Sequence, residues 1–153
     1  MNNPEDRYHE LISVLKEKKF RLTPQRIELV RQIAASEGHP SALQFHQKVI
    51  ERFPTMSLAT VYKTLALLKE VHQVLEIDLK DDNHYDGNRP EPHSHLICIR
   101  CKKIIDGEVL LDQNKMRELE KDSGFMILQP QVNLYGLCSE CKDNNSTKGN
   151  RHL

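Results

Sequence analysis

Residues 93–106 read HSHLICIRCKKIID, and they decide how one half of the chain must fold. His95 to Cys98 and Lys103 to Asp106 have the apolar content of short strands, and Cys98-Ile-Arg-Cys101 is the turn between them. Two residues between thiols let one tight turn aim both sulfurs at a single ion. A second such turn, Cys138-Ser-Glu-Cys141, completes a tetrahedral shell of four thiolates, and closed shells of this kind are structural zinc sites. All four cysteines of the chain fall in these two pairs, with none left over. A redox C-x-x-C is the competing reading. It is disfavoured because two pairs occur and neither is expected to open a helix after a strand in thioredoxin fashion. A lobe this small has a thin core, so metal binding is expected to supply much of its folding free energy.

Outward from that stretch, the pattern differs on the two sides. Toward the N-terminus, apolar residues recur at helical spacing between clear stops. Tyr8 to Lys18 carries Leu11, Ile12, Val14 and Leu15. Thr23 caps and Pro24 opens a second helix, whose stripe of Ile27, Leu29, Val30 and Ile33 stops near Gly38-His39-Pro40. Ser41 caps a third helix, to about Phe53, and Ser57 a fourth, Leu58 to about Val71. Leu75, Ile77 and Leu79 then alternate with Glu76 and Asp78 as a strand, and His84-Tyr85-Asp86 is the return. Short helices followed by a hairpin are the layout of a winged helix-turn-helix. Toward the C-terminus, Val109 to Asp122 reads as helix, ending at Ser123-Gly124, with strands at Phe125 to Leu128 and Val132 to Tyr135. The expected organisation is therefore α+β. A winged-helix domain (1–86), suited to DNA, leads through a Pro/Gly hinge (87–92) to a small α/β metal-binding domain (93–142). A polar tail follows (143–153).

Lys and Arg number 22, as do Asp and Glu, so the net charge is zero. That argues against a general polyelectrolyte binder but leaves room for a local basic face. No apolar run approaches the roughly 20 residues a bilayer span requires. Met1 to Tyr8 is polar and acidic, unlike a signal peptide, so a cytoplasmic location is expected, where thiols stay reduced. A zinc hydrolase or deaminase would need an open zinc position and a neighbouring general base. The all-cysteine pairs provide neither, so no enzyme is expected.

Two further groups carry chemistry. Ser57, Thr60, Tyr62 and Lys63 stand at the front of the fourth helix, where a recognition helix meets base edges. Lys16, Lys18, Lys19, Arg21 and Arg26 cluster near the first turn and suit phosphates. A capped amphipathic helix with a solvated charged face is the plainer alternative. The second group is His93-x-His95, two imidazoles on one face of an extended chain, with Asp86, Asp106 and His39 nearby in the layout. Converged, these five would form a shell of three imidazoles and two carboxylates, suited to Fe(II), Mn(II) or Zn(II). Spacing alone does not bring His39 to His93. His9, His46, His72, His84 and His152 read as surface or packing residues.

With these residues in view, the chain resembles the ferric uptake regulator superfamily from about Leu11 to Cys141. The motifs are Arg21-Leu-Thr-Pro-Gln-Arg26, His39-Pro-Ser-Ala42, Met56-Ser-Leu-Ala-Thr-Val-Tyr62, the stretch from His93 to Cys101, and Tyr135-Gly-Leu-Cys-Ser-Glu-Cys141. The resemblance implies a homodimeric repressor that grips double-stranded DNA at AT-rich inverted repeats, with 1–86 as its DNA-binding domain and 93–142 as its dimerisation domain. It also implies a structural Zn(II) on the four cysteines and a regulatory Fe(II) or Mn(II) between the lobes. Tyr62 and Lys63 match major-groove contacts, and Arg21 a minor-groove one. The peroxide-regulator branch is most similar, since its three His and two Asp match His39, Asp86, His93, His95 and Asp106. Iron sensors usually carry Glu at the position of Asp106. In that branch, iron-catalysed oxidation by hydrogen peroxide falls on a ligand imidazole, here His39 or His93. An iron- or manganese-availability repressor with the same ligands and no peroxide chemistry is the alternative, followed by a zinc-uptake repressor. A zinc-ribbon interaction module without DNA contact stands outside the class. A further site of iron sensors is expected to be absent, its places being held by Pro92, Ser94 and Pro130.

Overall fold

The computed structural model describes residues 3–79, 82–89, 91–108 and 112–146. The chain divides into two compact units, Met1–Pro90 and Glu91–Leu153.

The first unit is four helices and a hairpin. Helix α1, Pro4–Glu17, begins earlier than its apolar stripe suggests. Asn3 caps it, Pro4 sits where no N–H is needed, and Glu5 and Asp6 favour the positive end of the helix dipole. It therefore takes in Arg7, which shares the buried face with Leu11 and Leu15. Helices α2 (Pro24–Ala34), α3 (Ala42–Ile50) and α4 (Leu58–Glu70) start at the expected caps, Thr23, Ser41 and Ser57. Ser41 forms a full capping box with Gln44. The third helix stops three residues short of the expected Phe53. Leu29, Val30, Ile33, Phe45, Val49, Val61, Leu65 and Leu68 form one core, and each of the larger side chains contributes about 1.5–3 kcal/mol by leaving water. Strands β1 (Leu75–Ile77) and β2 (His84–Asp86) pair antiparallel, with Leu75 opposite Asp86.

In the second unit, β3 (Ser94–Cys98) is central. It pairs antiparallel with β4 (Ile104–Gly107) and parallel with β5 (Val132–Gly136). Helix α5, Gln113–Ser123, lies between β4 and β5 in sequence and ends on Gly124 in the left-handed region, which glycine enters without strain. The start expected at Val109 lies outside the described residues.

Three expectations are corrected. Phe125 to Leu128 is not a strand. Among the described residues it pairs with no strand, and its amides bond instead to the end of α5: Phe125 N donates to Ser123 Oγ (3.3 Å) and Ile127 N to Glu120 Oε1 (2.7 Å). The polar segment after residue 142 begins as helix, since α6 runs Ser139–Ser146. The second cysteine pair also lies at a strand-to-helix junction, between β5 and α6. The topological ground for setting redox chemistry aside therefore fails, and the grouping of four sulfurs carries the zinc reading instead.

Candidate metal centres

The strand order brings the two cysteine turns together. Cys98 ends β3 and pairs in register with Gly136 of β5, which leads directly to Cys138. Ile99 N donates to Gly136 O (2.9 Å), and Cys138 N points to Cys98 Sγ (3.4 Å). Lys102 turns through the left-handed region at φ 64° to close the first knuckle, its N–H donating to Cys98 O. All four sulfurs lie within 4.8 Å of one another, and Cys101 and Cys138 are 3.6 Å apart. A tetrahedron of about 2.3 Å zinc–sulfur bonds needs sulfurs about 3.8 Å apart, so small adjustments suffice.

The thiols differ in acidity. Backbone amides of Cys101 and Cys138 pull Cys98 down to about 6. Burial, then hydrogen bonding with the neighbouring thiols, pushes Cys141 up to about 12. The Lys103 amide lowers Cys101, but its contact with Cys98, burial and the contact with Cys138 outweigh it, leaving it raised. One thiolate forms readily, and a cation is what allows all four. Across the knuckles, Arg100 donates to Cys141 O (2.8 Å) and Lys103 pairs with Glu140.

The His/Asp residues form a pair in one unit and a trio in the other. In the first unit, Tyr85 N donates to Pro40 O (2.9 Å), and the His84 ring donates to His39 O. These bonds lay the His39 loop along β2. They bring His39 Nε2 to 3.8 Å from Asp86 Oδ2, with side chains only 4% and 5% exposed. In the second unit, register places His95 opposite Asp106, and the His93 and His95 rings lie 4.5 Å apart. His93 Nδ1 donates to Glu91 O (2.8 Å), and Nε2 faces Asp106 Oδ1 at 3.3 Å. His95 Nε2 is 3.9 Å from the same oxygen. Metal-binding histidines are typically held this way, with the second ring nitrogen donating to a carbonyl. A ring nitrogen and a carboxylate oxygen this close can share a proton or a divalent cation. Both histidine side chains are fully buried, while Asp106 is 42% exposed. The chemistry of this donor set fits a hard or borderline divalent cation.

On α4, Tyr62 (45% exposed) and Lys63 are accessible. Ser57 and Thr60 are tied into the cap: Ser57 Oγ accepts from Thr60 N (3.2 Å), and the two hydroxyls are 2.9 Å apart. Arg21 is exposed, and its carbonyl accepts from Arg26, whose guanidinium stacks on Phe20. Among the described residues, no helix is long and apolar enough to cross a membrane.

A family model described as the ferric uptake regulator family matches residues 17–135. The chain belongs to the ferric uptake regulator family. That makes it one of a family of metal-responsive transcriptional repressors. It is 30% identical to the peroxide-responsive repressor PerR of Staphylococcus aureus over 139 residues, 91% of this chain and 94% of that protein. The Helicobacter pylori ferric uptake regulator, whose structure reveals three functional metal-binding sites, is 23% identical with a TM-score of 0.70. That match spans 92% of this chain and 95% of that one. A zinc uptake regulator complexed with zinc and DNA matches at TM-score 0.67 and 21% identity, over 95% and 99%. At such identities the two solved structures speak to the ferric uptake regulator fold.

Sequence reasoning missed Arg7, a fully buried guanidinium. The signal was there, in Asn3-Pro4 followed by two acidic residues, the mark of a helix that starts before its apolar stripe.

Proposed function

We propose that the protein is a homodimeric repressor that binds AT-rich inverted-repeat operator DNA when Fe(II) or Mn(II) occupies His39, Asp86, His93, His95 and Asp106. Zn(II) on Cys98, Cys101, Cys138 and Cys141 is structural and holds the dimerisation domain together. Residues 1–86 are the DNA-binding domain, and 87–92 are the connection through which metal binding is transmitted. Arg21, Ser57, Thr60, Tyr62 and Lys63 face the DNA, with Ser57 and Thr60 acting through the cap they form. The single observation that carries the metal reading is the 3.3 Å approach of His93 Nε2 to Asp106 Oδ1, with the other ring nitrogen committed to a carbonyl.

The second unit's exposed apolar side chains favour a dimer. Phe125, Met126 and Leu128 are each more than 70% exposed, and Leu96, Ile105 and Leu134 leave one sheet face apolar. Patches of this kind mark association surfaces.

Peroxide sensing is the finer part of the proposal, supported by Asp106 and by the likeness to a peroxide-responsive repressor. When bound, iron supplies the electrons that activate peroxide. In net terms one imidazole carbon of His39 or His93 exchanges a C–H for a C=O bond while a ring nitrogen takes the proton. The histidine is thus oxidised by two electrons and gains one oxygen, and hydrogen peroxide is reduced to water. An oxidised ligand binds metal poorly, and DNA is released. Gel-shift titration on an AT-rich inverted repeat tests the repressor reading. Retardation is expected with Mn(II) and not with chelator, and a shift indifferent to metal would contradict it.

A further inference from the structure

Arg7 lies on α1, far in sequence from every proposed ligand, yet it is only 1% exposed. A guanidinium is costly to bury and persists only where its donors are engaged. Nη1 donates to Gln73 Oε1 (2.8 Å) and Glu10 Oε2 (2.7 Å), Nη2 donates to Gln73 O, and Nε donates to Gly87 O (2.8 Å). Arg7 thus ties α1 to the α4–β1 turn and to the residue that follows Asp86.

Gly87 is fixed from its other side as well. A Cβ there would lie 2.3 Å from Ile33 Cγ2, so its backbone packs flush against α2. Around this clamped residue Asp86 closes a turn, its Oδ1 accepting from Asn88 N and Arg89 N (3.1 Å each). Those two bonds occupy one carboxylate oxygen and turn the other, Oδ2, toward His39. Residues 87–89, expected to begin a hinge, are therefore bound to the first unit.

We infer that Arg7 is a positioning residue for the regulatory metal: by gripping Gly87 O it holds the turn that aims Asp86 Oδ2 beside His39. This rests on the reading of Asp86 as a ligand. It also joins the metal-binding turn to the helical core that carries α4, through Gln73 just beyond that helix.

The test is a double-mutant cycle of Arg7→Lys with Asp86→Ala, reading Mn(II) affinity of the folded, zinc-loaded protein by competition with a fluorescent chelator. Lysine keeps the charge but lacks the Nε donor. Asp86→Ala alone is expected to weaken Mn(II) binding. Arg7→Lys is expected to weaken it about tenfold with Asp86 present, a typical cost of removing a partner behind a ligand. Its effect is expected to fall below about twofold when Asp86 is absent, because the cycle isolates the coupling. Equal weakening in both backgrounds, or none in either, overturns the positioning role. Unchanged affinity in Asp86→Ala overturns the ligand reading itself. If Arg7→Lys proves too unstable, Arg7→Met replaces it in the same cycle: it removes the grip on Gly87 without leaving a buried charge unpaired. The same tenfold loss, confined to the background that keeps Asp86, is then expected, and equal weakening in both backgrounds, or none in either, overturns the positioning role.

Discussion

Asp106 is the residue on which the finer reading turns. Its Oδ1 is the shared neighbour of His93 and His95, and its position opposite His95 on the adjacent strand fixes the reach its carboxylate needs. Glutamate adds one methylene and carries the oxygen past that point or forces the chain to fold back. Asp106→Glu is expected to retain Mn(II)-dependent DNA binding while raising, by about tenfold, the peroxide dose that releases half the DNA in the iron-loaded protein. A tenfold change corresponds to about 1.4 kcal/mol. The same dose for both proteins, measured by fluorescence anisotropy of labelled operator, would remove Asp106 as the discriminating residue. At this scale much was legible in sequence. His93-x-His95 and the cysteine pairs declare themselves because their chemistry depends on local spacing. The meeting of His39 with Asp86 was not legible, because it depends on the hydrogen bonds from β2 to the loop at Pro40. Arg7 was hidden for a related reason: nothing local reveals that a charged side chain will be buried.

Among the elements, the wing is pinned to the fourth helix by Glu76 of β1. Lys69, in the last turn of α4, pairs with Glu76, which also accepts from Asn83 Nδ2 (2.7 Å) and the Tyr85 hydroxyl (3.4 Å). Burial pushes the Glu76 carboxyl up, but hydrogen bonds from Lys69 and Asn83, the Lys69 charge and the Tyr85 hydroxyl prevail and leave it below 4.5. Burial, with the Glu76 charge, pushes the Tyr85 phenol up, so it stays neutral and able to donate. A carboxylate whose folded pKa is depressed contributes stability above its unfolded pKa, and that stability is lost as the pH falls through the folded value. Wild type is therefore expected to be more stable than Glu76→Gln at neutral pH, with the gap closing as the pH falls below about 4.5. Paired denaturant titrations across that range check it, and a gap that stays constant down to pH 3 would show that the charge of Glu76 is not what pins the wing. Element types were mostly legible, since caps and periodicity are local properties. Phe125 to Leu128 was not, because a strand needs a partner and an apolar run does not reveal whether one exists.

Taken as a whole, the molecule concentrates its apolar core in the first unit. In the second, α5 has no buried side chain, and buried positions such as Ile97, Cys98 and Cys141 gather around the knuckles. In the proposed reading such a lobe depends on its metal and on its partner copy. Cys98→Ser is expected to abolish zinc retention and, with it, the stable dimer. Sedimentation with zinc analysis checks this, and a soluble zinc-free dimer would contradict the structural role. The α+β class was legible from the change to alternating periodicity after residue 74, and the division into two units from the Gly and Pro content of 87–92. The anchoring of Gly87 was not, because it comes from Arg7 of α1 and Ile33 of α2. The central claim, a His/Asp metal that senses peroxide, is tested most directly by peptide mass spectrometry of protein loaded with Fe(II) or with Mn(II) and given low peroxide. One added oxygen confined to the peptides holding His39 or His93, with iron and not with manganese, is the expected result. Intact peptides with iron demonstrably bound would contradict peroxide sensing and leave a repressor that answers to metal availability.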